Sequence, residues 1–210
     1  MQAFPMRCLI LSSCLFFLCS CGSMYKQLQV TTGNAANLEK FRPAFGVALY
    51  TTTVDVVGNH LSGLLLVKKM PDSTTRMVFS SEMGLKFFDF EFSMDGGFKV
   101  YSIFKKMNKR SVITTLRKDF ELLLMEDLAD NNVSIRKDST FLYYIFPQAK
   151  GYNTYVTNNI GNELVWMERA SKSKQVMKMT IKNYTNGIPD SIGITHSNFD
   201  FTIGLKRLER

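Results

Sequence analysis

The chain is 210 residues long, carries a formal net charge of +8 and is 45% hydrophobic. A chain of this length can bury enough apolar surface to fold around one core without covalent staples. Its four cysteines, Cys8, Cys14, Cys19 and Cys21, all lie within the first 21 positions, which excludes a disulfide framework or a cysteine metal site in everything that follows.

The first predicted element is an export signal over residues 1–20. One positive charge, Arg7, precedes an apolar run from Cys8 to Leu18, the layout of a secretory leader. At 1.5 Å per residue such a run covers about 20 Å, short of the ~30 Å hydrocarbon core, so a permanent transmembrane helix is not predicted. The stretch Leu18-Cys19-Ser20-Cys21-Gly22 resembles the lipobox of bacterial lipoproteins, with Leu, Ser and Gly in the matching places around Cys21. In that pattern the cysteine thiol takes a diacylglyceryl group, so Cys21 is the expected lipidation site and should be labelled by palmitate. Leu11-Ser12-Ser13-Cys14 also fits but leaves too short a hydrophobic region, and Cys19 has the bulky Leu18 beside the cut. An ordinary secretory signal that happens to be cysteine-rich is the alternative.

Removing residues 1–20 takes away Arg7 and no acid, so +8 becomes +7. That balance suits an anionic bilayer surface, where each nearby Lys or Arg contributes roughly 1 kcal/mol; an exported, anchored chain is not expected to meet nucleic acid. The residues after Cys21, Gly-Ser-Met-Tyr-Lys, contain no acid that would act as a retention tag. The expected location is therefore the outer membrane, facing the periplasm, held through an N-terminal acyl anchor.

Residues 21–40 are polar and without a clear period, with Thr31-Thr32-Gly33-Asn34-Ala35-Ala36-Asn37 at their centre, and read as a flexible tether. Residues 41–210 read as a single domain, expected to be a monomer. Short β-type runs follow one another with turn signals between them. FGVALYTTTVDVV ends at Gly58-Asn59, LSGLLLVKK at Met70-Pro71-Asp72-Ser73, and TTRMVFSS at Glu82-Met83-Gly84. LKFFDFEFS then closes at Asp95-Gly96-Gly97 and FKVYSIFKK follows. Phe88, Phe90 and Phe92 share one strand face opposite Asp89 and Glu91; Met177, Met179 and Ile181 oppose Lys178, Thr180 and Lys182; Phe199, Phe201, Ile203 and Leu205 oppose Asp200, Thr202 and Lys206. One apolar and one wet face is the pattern of antiparallel sheets, and Asn186-Gly187 is a hairpin signal.

One segment has a different period. In TTLRKDFELLLMEDLADNN, residues Leu116, Phe120, Leu123, Leu124 and Leu128 recur at helical spacing, which predicts an amphipathic helix over 114–131. The fold class that follows is mainly β (α+β): a curved antiparallel sheet forming an unclosed β-barrel, covered by the helix. An all-β barrel is the near alternative.

Chemistry is sparse. His60 and His196 read as satisfied surface histidines, and a hydrolase built from His196, Asp200 and a serine lacks any Gly-x-Ser-x-Gly turn. Asp89 and Glu91 sit two apart on one strand face, a carboxylate pair in form, but read as solvated. No metal-ligand series or phosphate loop is present, so no catalytic residue, metal or cofactor is expected and the chain is not read as an enzyme. What remains is an apolar surplus: Met77, Phe79, Phe88, Phe90, Phe92, Met177, Met179, Phe199 and Phe201 lie on strand faces. They are either plain core or, where one helix cannot fill a strongly curved sheet, the lining of a cavity for acyl chains.

The order of elements resembles the LolA/LolB family of lipoprotein-localisation factors. HLSGLLLVKK is similar to the family's early Gly-containing strand, TTRMVFSSEMGLKFFDFEF to its Arg-led strand, protruding loop and next strand, SVITTLRKDFELLLME to a helix, and IPDSIGITHSNFDFTIGLKRLE to its closing hairpin. The resemblance covers roughly residues 60–208 and implies a half-barrel lidded by helices around an acyl-binding cavity. It also implies a membrane-contacting loop at Met83, where the LolB branch of the family has an exposed leucine. FGVALYTTTVDVV departs from the pattern, standing where that branch has an N-terminal helix. The implied partners are the membrane and lipid or lipoprotein acyl chains, and the implied role is lipid or lipoprotein localisation. The alternative is a solid-cored accessory subunit of an envelope complex with a protein partner.

Overall fold

The structure, a computed structural model, describes residues 24–208. The signal segment 1–20 and Cys21 lie outside the described residues.

The first half of the sheet is a meander. Strands β2 (Val47–Val56), β3 (Asn59–Lys69), β4 (Thr75–Ser80), β5 (Lys86–Phe92) and β6 (Phe98–Ile103) each pair antiparallel with the next. The second half repeats the plan with β7 (Ser134–Lys137), β8 (Phe141–Gln148), β9 (Gly151–Asn158), β10 (Leu164–Ala170), β11 (Gln175–Thr185), β12 (Ile188–His196) and β13 (Phe201–Arg207). Pairing of β13 with β2, from Phe201↔Val56 to Arg207↔Tyr50, joins the halves into one sheet. The short β1 (Gln29–Val30) adds to β7. The order runs β1-β7-β8-β9-β10-β11-β12-β13-β2-β3-β4-β5-β6, and β1 and β6 do not meet, so the barrel is unclosed as expected.

The alternation read from the sequence fixes which face turns inward. Met177, Met179 and Ile181 are buried while Lys178 and Lys182 are exposed, and Phe201, Ile203 and Leu205 are buried beside exposed Gly204 and Lys206. Asn186-Gly187 forms the two-residue hairpin between β11 and β12, both with positive φ (54° and 75°), as a mirror-image turn between twisted strands requires. Gly63 in β3 has a different reason to be glycine. A Cβ there would lie 2.1 Å from the Ser80 carbonyl oxygen, where β4 ends against β3.

Helix α1 (Arg110–Leu123) lies between the two halves in sequence and turns Leu116, Phe120, Leu122 and Leu123 into the core. Its limits differ from the predicted 114–131. It begins four residues sooner, and at its far end Met125 adopts a left-handed backbone (φ 54°) and is fully buried, which breaks the helix before a 3-10 turn at Glu126–Ala129. The periodic leucines continue through that break because the 3-10 turn also packs on the core.

The expected tether over residues 21–40 is corrected for its described part. Tyr25 is 4% exposed and packs with Ile145 and Ala170 in a small second cluster. The chain then adds β1 to the sheet edge and enters a 3-10 helix, Ala35–Phe41, capped by Asn34, whose Oδ1 accepts from Ala36 N at 2.9 Å. Leu38 is completely buried in the main core. Residues 24–41 therefore strap the sheet; widely spaced anchors such as Tyr25 and Leu38 produce no period for a sequence reading to detect.

Candidate functional site

The main cavity follows from side-chain size along α1. Its first two turns direct Ser111, Val112, Thr115 and Leu116 toward the concave sheet, whereas its later turns bring Phe120, Leu122 and Leu123. Small and β-branched side chains cannot bridge the gap that phenylalanine and leucine close. A space of about 650 Å³ remains under the N-terminal half of the helix. Its walls are Val54 and Val56 of β2, Leu61 and Leu65 of β3, and Phe201, Ile203 and Leu205 of β13. Phe120 closes the inner end, and Val57, Asn59, Lys106, Lys109 and Asn198 border the opening.

The residues predicted to line a cavity divide. Phe79, Phe88, Phe199 and Phe201 line it. Met77, Phe90, Phe92, Met177 and Met179 do not; they are no more than 2% exposed and form the packed remainder of the core. There Phe88 and Phe90 stack at 4.5 Å, and Phe90 and Phe92 meet Phe98 at 5.2 Å. Alternation assigns a residue to the concave face but not to the covered or open part of it. Val112 and Thr115, lining residues that sequence reasoning missed, had one readable signal: small side chains on the inward face of the helix start.

Met83 stands at the tip of the β4–β5 turn, 98% exposed and followed by Gly84 at φ 84°. It is not among the residues that line the cavity, and its side chain is open to an outside surface.

Polar groups buried around the cavity are structural clamps. His196, expected at the surface, is instead the last residue of β12 and is buried, with its Nε2 2.9 Å from Oδ2 of Asp119 on α1. The aspartate it meets is thus Asp119 and not Asp200. Arg169 Nη2 of β10 lies 3.1 Å from Asp119 Oδ1, off the hydrogen-bonding direction, so that contact is electrostatic. Burial pulls the Arg169 pKa down while Asp119 opposes the shift. The His196 ring also stacks on Phe201 at 4.8 Å.

Asp89 is a second correction. Its strand position predicts a solvated carboxylate, yet it is 2% exposed because Arg76 and Lys86 fold over it. Arg76 donates to both carboxylate oxygens at 2.8 and 3.0 Å and Lys86 Nζ donates at 2.9 Å. These donors, Arg76 first, hold its carboxyl below the usual range against the opposing effect of burial. Glu91, the other member of the pair, accepts from the exposed Tyr101 hydroxyl at 3.1 Å. His60, exposed as predicted, meets Asp55 at 2.6 Å through Nδ1.

On the convex face the buried Glu168 accepts from Tyr25 Oη at 2.7 Å, Trp166 Nε1 at 3.0 Å and Gln175 Nε2 at 2.6 Å. Below α1, Asp127 accepts from Gln148, Asn153 and Tyr155 at 2.8 Å each. Burial raises its pKa and those three donors resist the shift. Among the described residues no group of three or more His, Cys, Asp or Glu is placed to hold a metal ion. Among the same residues no helix is long and apolar enough to cross a membrane.

No protein-family model matches the chain, and no curated protein matches it. Two solved structures are similar in layout. A domain described as an outer membrane lipoprotein-sorting protein from Vibrio parahaemolyticus has 12% identity and a TM-score of 0.44, over 83% of this chain and 89% of that one. A DUF1329 family protein from Desulfovibrio piger has 9% identity and a TM-score of 0.45, over 83% of this chain and 88% of that one.

Proposed function

We propose that this protein is an envelope lipoprotein, acylated at Cys21, whose half-barrel takes up an apolar chain of the acyl type and aids its localisation to the outer membrane. The observation that carries the reading is the open apolar space of about 650 Å³ between α1 and the concave sheet. Such a volume lies within the ~300–1,000 Å³ range of ligand sites. The walls offer no charged group deep inside, and each methylene moved from water onto them contributes about 0.8 kcal/mol. Lys106 and Lys109 at the opening would meet a carboxylate or phosphate at the polar end of the guest. Met83 would touch the bilayer at the delivery step.

Displacement of a fluorescent fatty acid by palmitate tests the cavity. The protein should bind the probe, and Val112→Trp, which fills the space beneath the helix, should remove binding while leaving the circular dichroism spectrum unchanged. Probe binding at the wild-type level in both Val112→Trp and Thr115→Trp would contradict the assignment. A folded protein that never binds the probe would favour the solid-cored accessory subunit. Incorporation of labelled palmitate by the wild type and not by Cys21→Ala tests the anchor separately.

A further inference from the structure

An antiparallel meander sends successive turns to opposite ends of the sheet. The β2–β3, β4–β5, β8–β9, β10–β11 and β12–β13 turns and the start of α1 share one end, while the β3–β4, β5–β6, β7–β8, β9–β10 and β11–β12 turns share the other. The two ends carry opposite charge. The first presents exposed Lys106, Lys109, Arg110, Lys150, Lys172 and Lys174 against exposed Asp55, Glu82 and Asp200, with Asp55 already engaged by His60. The second has Asp72, Asp95, Asp138 and Glu163 in its turns, with exposed Lys69 and Lys137 at the ends of β3 and β7.

Apolar tips project from both ends, Met94 and Ile160 standing exposed in turns of the second, but at the first they stand among the lysines. Met83 is 98% exposed and Val57 68% exposed, each at the apex of its own turn, with the half-exposed Leu85 beside the first. The described chain also starts there, since Met24 N donates to the Lys172 carbonyl at 3.0 Å. Cys21 precedes Met24 by three residues, a covalent reach of about 10 Å. The opening of the cavity, bordered by Lys106, Lys109 and Asn198, faces the same way.

We propose that this end of the half-barrel is a docking face for an anionic phospholipid bilayer, which sets the cavity mouth against the membrane. Lysines on separate turns reach a headgroup layer from several points, and isolated apolar tips between them enter the acyl boundary. A protein partner would call for a contiguous apolar patch with few charges at its centre, and this end has the reverse. With the anchor entering beside Lys172, the short leash holds the body mouth-down, so a guest chain passes between bilayer and cavity without crossing water. The anchoring part of this inference rests on the acylation proposed above; the charge and the tips do not.

Vesicle co-sedimentation of the Cys21→Ala protein, which has no acyl anchor, tests the face itself. It should bind phosphatidylcholine vesicles containing phosphatidylglycerol, release them as salt rises, and bind pure phosphatidylcholine far more weakly. Lys106→Glu with Lys109→Glu should weaken binding about thirtyfold or more, and Lys172→Glu with Lys174→Glu similarly. Lys69→Glu with Lys137→Glu, at the opposite end, should change it less than about threefold. Equal loss in all three pairs, no binding at all, or equal binding to the two vesicle types would overturn the proposal. A protein that binds the fluorescent fatty acid and releases it to palmitate, yet ignores these vesicles, would sink the docking face and leave the cavity standing. One that docks without binding an acyl probe would do the opposite.

Discussion

His196 Nε2 and Asp119 Oδ2 lie 2.9 Å apart, fastening the end of β12 to the middle of α1 beside the cavity. The helix that roofs the cavity is thereby held by a buried polar clamp at its centre and by apolar packing at its C-terminal half. Arg169 adds a second, electrostatic contact from β10.

Removing the carboxylate should cost more than removing the imidazole. Asp119→Ala strands the buried Arg169 guanidinium and is expected to lower unfolding free energy by about 3–5 kcal/mol. His196→Phe keeps the stack on Phe201 and leaves Asp119 with Arg169, so a loss of about 1–2 kcal/mol is expected. Denaturant titration of both variants and their combination gives the values; equal losses would show that the histidine, not the arginine, accounts for the clamp.

The N-terminal strap depends on a buried carboxylate that accepts three side-chain donors. Tyr25→Phe removes one of them and should cost about 1.5–3 kcal/mol. The strap should open before the sheet does, so limited trypsin digestion at Lys26 should accelerate in Tyr25→Phe under conditions that leave the β-sheet spectrum intact. An unchanged cleavage rate would mean that the cluster around Ile145 holds the strap without the hydroxyl.

Gly63→Ala should destabilise the sheet by about 1–3 kcal/mol. The added methyl would meet backbone, 2.1 Å from the Ser80 oxygen and 2.8 Å from its carbon, and backbone cannot swing aside as a side chain does. Gly204→Ala serves as comparison, since its nearest neighbour is the Thr53 hydroxyl at 3.0 Å, the end of a rotatable side chain. Thermal unfolding should separate the two, with the larger drop at Gly63.

Stability should decline on the alkaline side of neutrality through Glu126. Burial first, then Glu121 and Asp127, push its pKa up to about 7, with Arg117 and Arg42 opposing. A carboxyl whose pKa is higher in the folded than in the unfolded chain stabilises the fold when protonated. That contribution is complete below the unfolded value and is lost as pH rises through the folded one. Glu126→Gln should therefore unfold at higher denaturant than wild type at pH 8. The difference at pH 8 should be about 1–2 kcal/mol after solvent screening at a part-exposed site, and the two should converge below about pH 4.5. A difference independent of pH would assign the effect to packing.

Strand faces were legible because a period of two is local chemistry: Met177 and Lys178 differ in hydropathy and so lie on opposite sides. What depends on distant partners was not legible. Asp89 looks solvated in its own strand and becomes buried only because Arg76 of β4 and Lys86 close over it. His196 likewise acquires its partner from a residue 77 positions away. Of the residues expected to line a cavity, Phe79, Phe88, Phe199 and Phe201 border the open space, and Met77, Phe90, Phe92, Met177 and Met179 are packed core. Whether Phe90 is core and Phe201 is lining depends on where the large side chains of α1 begin, and the sequence reading put the helix start four residues late. Ser111 and Val112, ahead of the start at 114 that the period predicts, leave the space open.

Crosslinking with a photoactivatable palmitate analogue, mapped by mass spectrometry on the purified protein, tests the central claim most directly. The account predicts adducts on Val112, Thr115 and Leu116 of α1 and on Phe201 and Ile203 of β13, all suppressed by excess palmitate. Adducts confined to the outer faces of β2–β4, or none that palmitate competes away, would contradict it.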